Sequence, residues 1–268
     1  MIRSGNEDNF AVDYDERHGR GLFVVADGMG GHAAGEVASE MAVQILLREL
    51  ADLREVDEGA GERVGRALRD ANRKIHERTM TEIDKQGMGT TVSALVVSGP
   101  HYLIGQVGDS RVYLLRDGAL RQLTKDHSYV QEQVDAGFLT PEQARYHPYS
   151  NVITRCVGAS PDVEPDVYRG TVRTGDTFLV ASDGLTGMVD DWRLQQLLMA
   201  RTDEQRVVQS LIAEANGRGG LDNITAIVVR VVAVAGDASE RTAEMPAAPR
   251  TPTGNPVVPD SQDGGAPA

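Results

Sequence analysis

Two stretches of this chain read almost alike: Val24-Val25-Ala26-Asp27-Gly28-Met29-Gly30-Gly31 and Leu179-Val180-Ala181-Ser182-Asp183-Gly184-Leu185-Thr186-Gly187. In each, an apolar run of strand character delivers one aspartate and then a glycine turn. A third run, 102–107, leads into Gly108-Asp109-Ser110-Arg111, and Asp222-Asn223 stands directly before a fourth, 224–232. Glu7-Asp8 adds an acidic pair near the start. Carboxylates at the ends of rigid strands suit Mg2+ or Mn2+, hard cations that take oxygen ligands and need them held in place. A single Asp-Gly is more simply a turn, because both residues tolerate the backbone a turn requires. Asp117-Gly118 and Gly175-Asp176 are read that way, and spacing alone leaves both readings open for Asp27, Asp183 and Asp222.

Holding such groups takes strands and something to back them. Residues 22–26, 92–97, 102–107, 111–115, 177–181 and 224–232 are predicted strands, rich in Val, Ile and aromatics and bounded by Gly, Pro or Asp. Helical spacing links Val37, Met41 and Ile45; Val64, Leu68, Ala71 and Ile75; and Val207, Leu211 and Ala215. The first two helices form a pair between strands, with 57–61 as the turn. Three short strands within 99–123 are too close for βαβ crossovers, so antiparallel hairpins and a mixed α+β architecture are predicted. Residues 126–159 break the strand pattern with two short helical pieces, 129–136 and 141–146, in the manner of a lid or flap. Beyond residue 235 the text turns to Ala, Pro, Gly, Thr and Asp without periodicity. One catalytic domain, 1–235, and a disordered tail, 236–268, are therefore expected.

Acidic residues outnumber basic ones by 40 to 27, a net charge of −13. That argues against nucleic acid or an anionic membrane surface as the main partner, and an anionic substrate would need a local positive field such as bound cations supply. The only cysteine, Cys156, has no partner within the chain. With no leader pattern and no apolar run near the roughly 20 residues that span a bilayer, a cytoplasmic protein is expected. Cys156 shows no reactive-loop signature and is read as structural. Trp192 is read as a helix-anchoring core residue.

In order along the chain, Arg3-Ser4-Gly5-Asn6-Glu7-Asp8, Asp27-Gly28-Met29-Gly30-Gly31-His32, Gly89-Thr90-Thr91, Gly108-Asp109-Ser110-Arg111, Ser182-Asp183-Gly184 and Asp222-Asn223-Ile224-Thr225 resemble the metal-dependent protein phosphatases, the PPM or type 2C family, in its bacterial branch. The resemblance implies a four-layer α-β-β-α sandwich, two antiparallel sheets flanked by helices, with two Mn2+ or Mg2+ ions and a possible third in a cleft at one end. It implies that Asp27 bridges the two metals, Asp183 and Asp222 complete the first, and the Gly28 carbonyl with Glu7 and Asp8 serves the second. Asp109 matches the ligand of the third, and Arg3 the arginine that grips substrate phosphate, for which a planar guanidinium fork is apt. The implied reaction is hydrolysis of phosphoserine and phosphothreonine in proteins by a metal-activated water, without a phosphoenzyme. Phosphorylated proteins, among them Ser/Thr kinases and their substrates, are the implied partners; a monomer is expected.

Departures from the family pattern qualify this. Met29 stands where many relatives carry a histidine that protonates the leaving group, and a thioether cannot donate a proton; His32 is the candidate substitute. Only two residues precede Arg3, so either the true start lies upstream or one sheet has a shortened edge. Asp126, His127, Ser128 and Asn151 are read as ordinary loop polarity rather than ligands of the third metal. A catalytically silent, phosphoprotein-binding scaffold and a phosphatase of small esters are the competing functions.

Overall fold

Residues 21–26 are buried on every side, which a strand achieves only with neighbours at both edges and a layer on each face. The structure, a computed structural model, describes residues 5–15, 18–30, 34–53 and 55–234. The chain divides into one compact unit, Met1–Asp237, and Ala238–Ala268; Arg3, His32 and the predicted tail lie outside the described residues.

The elements run β1 Asp8–Asp15, β2 Arg20–Met29, α1 Ala34–Glu49, α2 Ala60–Thr81, β3 Gly89–Thr90, β4 Val92–Ser98, β5 His101–Val107, β6 Arg111–Arg116 and β7 Ala119–Gln122. Two short helices, α3 Tyr129–Asp135 and α4 Pro141–Arg145, follow. Then come β8 Asp166–Thr171, β9 Thr177–Ala181, α5 Asp183–Thr186, α6 Asp191–Leu198, α7 Glu204–Gly217 and β10 Ala226–Arg230. One sheet has the order β1-β2-β4-β5-β8 with β3 paired to β2, the other β10-β9-β6-β7, and every pairing is antiparallel.

Three apolar layers separate four structural ones. Leu22, Val24, Val96 and Leu103 face Ala38, Leu46, Val64, Leu68 and Ile75 of α1 and α2. Phe23, Val25, Leu95 and Ile104 of the first sheet meet Val112, Leu114, Phe178 and Val180 of the second. Tyr113, Leu179 and Ala181 pack under Leu194, Leu198, Val207 and Leu211 of α6 and α7. This is the predicted α-β-β-α sandwich, produced by strand residues that alternate between two different cores.

Three predicted features differ. β5 and β6 do not form a hairpin: β5 is flanked by β4 and β8, so no edge is open to β6, and the chain at Gly108–Asp109 crosses to the other sheet. Asp183 does not enter a glycine turn but begins the single helical turn α5. Trp192 is 67% exposed; it lies two residues before Leu194 and six before Leu198, which at about 100° per residue puts it on the opposite face of α6. The second sheet stops at β10. Phe10 and Val12 of β1, paired with Val25 and Phe23, are exposed on the inner face together with Tyr14, so the shorter sheet does not reach beneath them.

The short helices of 126–159 survive by capping. Ser128 accepts from the Gln131 N–H, and Thr140 and Gln143 form a reciprocal capping box with Pro141 at the first turn of α4.

Candidate active site

Four strand ends meet around Asp27. Asp8 lies directly across from Asp27 in the β1–β2 pairing. The Gly28 N–H donates to the Glu7 carbonyl at 3.1 Å, which also accepts from Ser39 Oγ at 2.6 Å. Gly28 is obligatory here, because a Cβ would lie 2.2 Å from the Gly35 carbonyl and 2.4 Å from that of Glu7. Thr91 holds Asp27 at both backbone groups: its Oγ1 accepts the Asp27 N–H at 3.0 Å and its N–H donates to the Asp27 carbonyl at 2.9 Å.

The second sheet reaches the same place. Ser182 Oγ and Thr225 Oγ1 donate to Asp8 Oδ2 at 2.9 and 2.7 Å, tying the end of β9 and the start of β10 to β1. Asn223 Oδ1 accepts the Glu7 N–H at 3.0 Å, and its amide donates to the Gly5 carbonyl at 3.0 Å. Gly184 is so near Asn223 that a Cβ would stand 1.8 Å from its carbonyl oxygen. Asp183 and Asp222 are thereby held side by side.

The electrostatics are those of like charges forced together. Burial, then the charges of Asp8 and Asp183, raise the Asp27 carboxyl well above the ordinary carboxylate range. Burial also raises Asp8 and Asp183. Burial and the charges of Asp183 and Asp126 push Asp109 up to about 8. Asp8, Asp109 and Asp183 each keep one buried oxygen, Oδ1, without a hydrogen-bond partner, and such an atom is costly unless a donor or a cation meets it. Among the described residues, no three His, Cys, Asp or Glu side chains are grouped so that they could hold a metal ion as they stand. The orphaned oxygens and the mutual repulsion nevertheless fit hard cations at these strand ends, since carboxylate oxygens are the ligands Mg2+ and Mn2+ take and a bound cation relieves repulsion among them.

Of the sequence-predicted residues, Glu7, Asp8, Asp27, Gly28, Asp109, Asp183 and Asp222 belong to this neighbourhood. The polar residues at the base of 126–159 have other partners: Asp126 accepts from Arg111 Nε and Nη2 at 3.0 and 2.6 Å, Ser128 caps α3, and Asn151 is exposed. Burial raises the Cys156 thiol and keeps it protonated. Sequence reasoning assigned no role to Thr91, Ser182, Thr225 and Asn223, the residues that orient the carboxylates. Their one signal is a hydroxyl or amide adjoining an acidic strand end.

The family pattern of Protein phosphatase 2C matches residues 3–215. Serine/threonine phosphatase stp of Listeria monocytogenes is 39% identical over 231 residues, 85% of this chain and 91% of that protein. The serine/threonine phosphatase of S. agalactiae superposes with a TM-score of 0.79 at 39% identity, over 86% of this chain and 95% of that one. The catalytic domain of the serine/threonine protein phosphatase PstP, solved in complex with 2 manganese ions, does so with a TM-score of 0.75 at 37% identity, over 85% and 92%.

Proposed function

Because this chain belongs to the protein phosphatase 2C family and is a protein serine/threonine phosphatase, we propose that it hydrolyses phosphoserine and phosphothreonine with two divalent cations, Mn2+ or Mg2+, held around Asp27. On the family resemblance, Asp183 and Asp222 would hold one cation and Glu7, Asp8 and the Gly28 carbonyl the other, with Asp27 assigned to both. Asp109 is the ligand assigned to a third. Bound there, such cations supply Lewis-acid chemistry, lowering the pKa of water and neutralising phosphoryl charge. The observation that carries this reading is the set of buried carboxylate oxygens without partners on Asp8, Asp109 and Asp183.

The residues of the chain do the positioning. Ser182 and Thr225 fix Asp8 Oδ2, while Oδ1 stays buried without a hydrogen-bond partner. Thr91 fixes the backbone of Asp27, and Asn223 fixes that of Glu7. Rigid strands thus bear most of the preorganisation, which is where orientation contributes most to rate. Arg3 is the assigned phosphate grip and His32 the assigned proton donor to the leaving alkoxide; Met29 at the end of β2 cannot serve. Phosphorylated Ser/Thr kinases and their substrates are the proposed protein partners. The silent-scaffold alternative gains nothing from a site that keeps every one of these carboxylates.

The test is twofold: equilibrium dialysis of Mn2+ against the purified protein, and phosphate release from a phosphothreonine peptide beside a small phosphate ester. At least two bound Mn2+ per chain, with peptide hydrolysis abolished by chelator, is the expected result. Hydrolysis that persists without metal, or of the small ester alone, contradicts it.

A further inference from the structure

His127 is 6% exposed and stands where segment 126–159 leaves the sandwich. Its backbone and ring both engage the turn that carries Asp109. The His127 N–H donates to the Gly108 carbonyl at 2.9 Å, and the Gly108 N–H donates back to Nδ1 at 3.1 Å. Gly108 itself is pinned: its φ is +103°, and a Cβ would lie 2.6 Å from Thr91, the residue that also holds Asp27. Its carbonyl accepts a second bond from Gln106 Nε2 at 3.0 Å.

On the other side of the ring, Nε2 lies 3.4 Å from Asp166 Oδ2 and 3.0 Å from an Arg155 nitrogen. That nitrogen donates to Asp166 Oδ1 at 3.0 Å and to the Glu164 carbonyl at 2.9 Å. The His127 carbonyl accepts the Thr154 N–H at 2.9 Å. One residue therefore joins the start of the flap segment, its end, β8 and the Asp109 turn. Nδ1 must be bare to accept from Gly108, so the single proton of a neutral ring sits on Nε2, with Asp166 as its acceptor. Burial, joined by the Arg155 charge, lowers the His127 pKa against the pull of Asp166, which favours that neutral form.

We propose that His127 is a positioning residue for the phosphatase reaction, clamping both ends of the flap segment to the Gly108 turn and so setting the Asp109 carboxylate for a cation. This rests on the reading of Asp109 as a cation ligand. His127 is not itself a ligand, because both ring nitrogens are engaged elsewhere.

Nitrogen NMR of the His127 ring in the full chain is expected to show a bare Nδ1 and a protonated Nε2; the opposite tautomer overturns the proposal. Two variants then divide the ring. His127→Asn places a carbonyl oxygen near the Nδ1 position, whereas His127→Gln reaches toward Nε2 and leaves the Gly108 N–H without an acceptor. His127→Gln is expected to deprotect the Gly108 amide in hydrogen exchange. It should also weaken calorimetric Mn2+ binding at the Asp109-dependent site about 10-fold or more, the usual scale for residues that orient a ligand. His127→Asn should retain most of both. Equal losses in the two variants, or no loss in His127→Gln, overturn the clamp. If wild type shows no Mn2+ binding that Asp109→Asn removes, the ligand reading fails and the proposal falls with it; if that binding is present, a negative result in the variants sinks the clamp alone.

Discussion

Gly184→Ala puts one methyl group where β9 and β10, neighbouring strands of the second sheet, deliver Asp183 and Asp222. The new Cβ would stand 1.8 Å from the Asn223 carbonyl oxygen and 2.9 Å from its carbon, and ordinary contact begins at 3.4 Å. The strand ends must therefore part by about 1.6 Å (3.4 − 1.8). Asn223 cannot swing aside cheaply, because its side chain is bound to Gly5 and Glu7, so the displacement reaches Glu7 as well. Overpacking of this kind costs about 1–3 kcal/mol, against a total stability of roughly 5–15 kcal/mol. The variant should fold, with Tm lower by about 2–4 °C per kcal/mol lost. A misplacement near 1 Å in a preorganised site is worth about 100-fold in rate, so activity should fall far more than stability. The assay is kcat/KM for phosphate release from a phosphothreonine peptide at saturating Mn2+, beside a thermal melt. A Gly184→Ala protein with a lowered Tm and wild-type kcat/KM would refute the claim that this contact sets the spacing of the two carboxylates.

Other perturbations separate fold from site. Gly65→Ala, in mid-α2 with only the mobile Arg69 guanidinium nearby at 3.4 Å, should stabilise by about 0.5–1 kcal/mol and leave activity unchanged, as a melt and a rate will show. The raised carboxyls of Asp27, Asp8, Asp183 and Asp109, the last at about 8, bind protons more tightly folded than unfolded. Their contribution to stability is thus fully present below about pH 4 and is lost as pH rises toward 8. Melts of metal-free protein across this window should fall through these groups, with a shallower slope in Asp109→Asn; an unchanged slope contradicts the assignment. Arg111→Met strands Asp126, 9% exposed, and should cost about 3 kcal/mol, part of it recovered in a double variant with Asp126→Asn, as urea titrations would report.

The fold was legible where a strand is buried on both faces, because 22–26, 92–97 and 177–181 admit little else. β1 and β8 are not among the predicted strands because their texts, DNFAVDYD and DVYRGT, lack the unbroken apolar run that marks the others; alternation is their only strand signal. The crossing at Gly108 was misread as a hairpin because spacing cannot say that β5 already has neighbours on both edges. At the site, the acidic strand ends stood out as sequence, but what orients them did not. The bonds from Asn223 to Glu7, Thr225 to Asp8 and Ser182 to Asp8 span 216, 217 and 174 residues, and local periodicity carries no information over such separations. His127 likewise reads as loop polarity, because only the fold brings its two ring nitrogens to Gly108 and Asp166.

The most direct test of the two-cation phosphatase is phosphate release from a phosphothreonine peptide as Mn2+ is titrated into wild type, Asp183→Asn and Asp222→Asn. Activity that rises with Mn2+ in the wild type and collapses in both variants, each still folded by its melt, is the predicted result. Wild-type rates in either variant, or activity in wild type that ignores Mn2+, would contradict it.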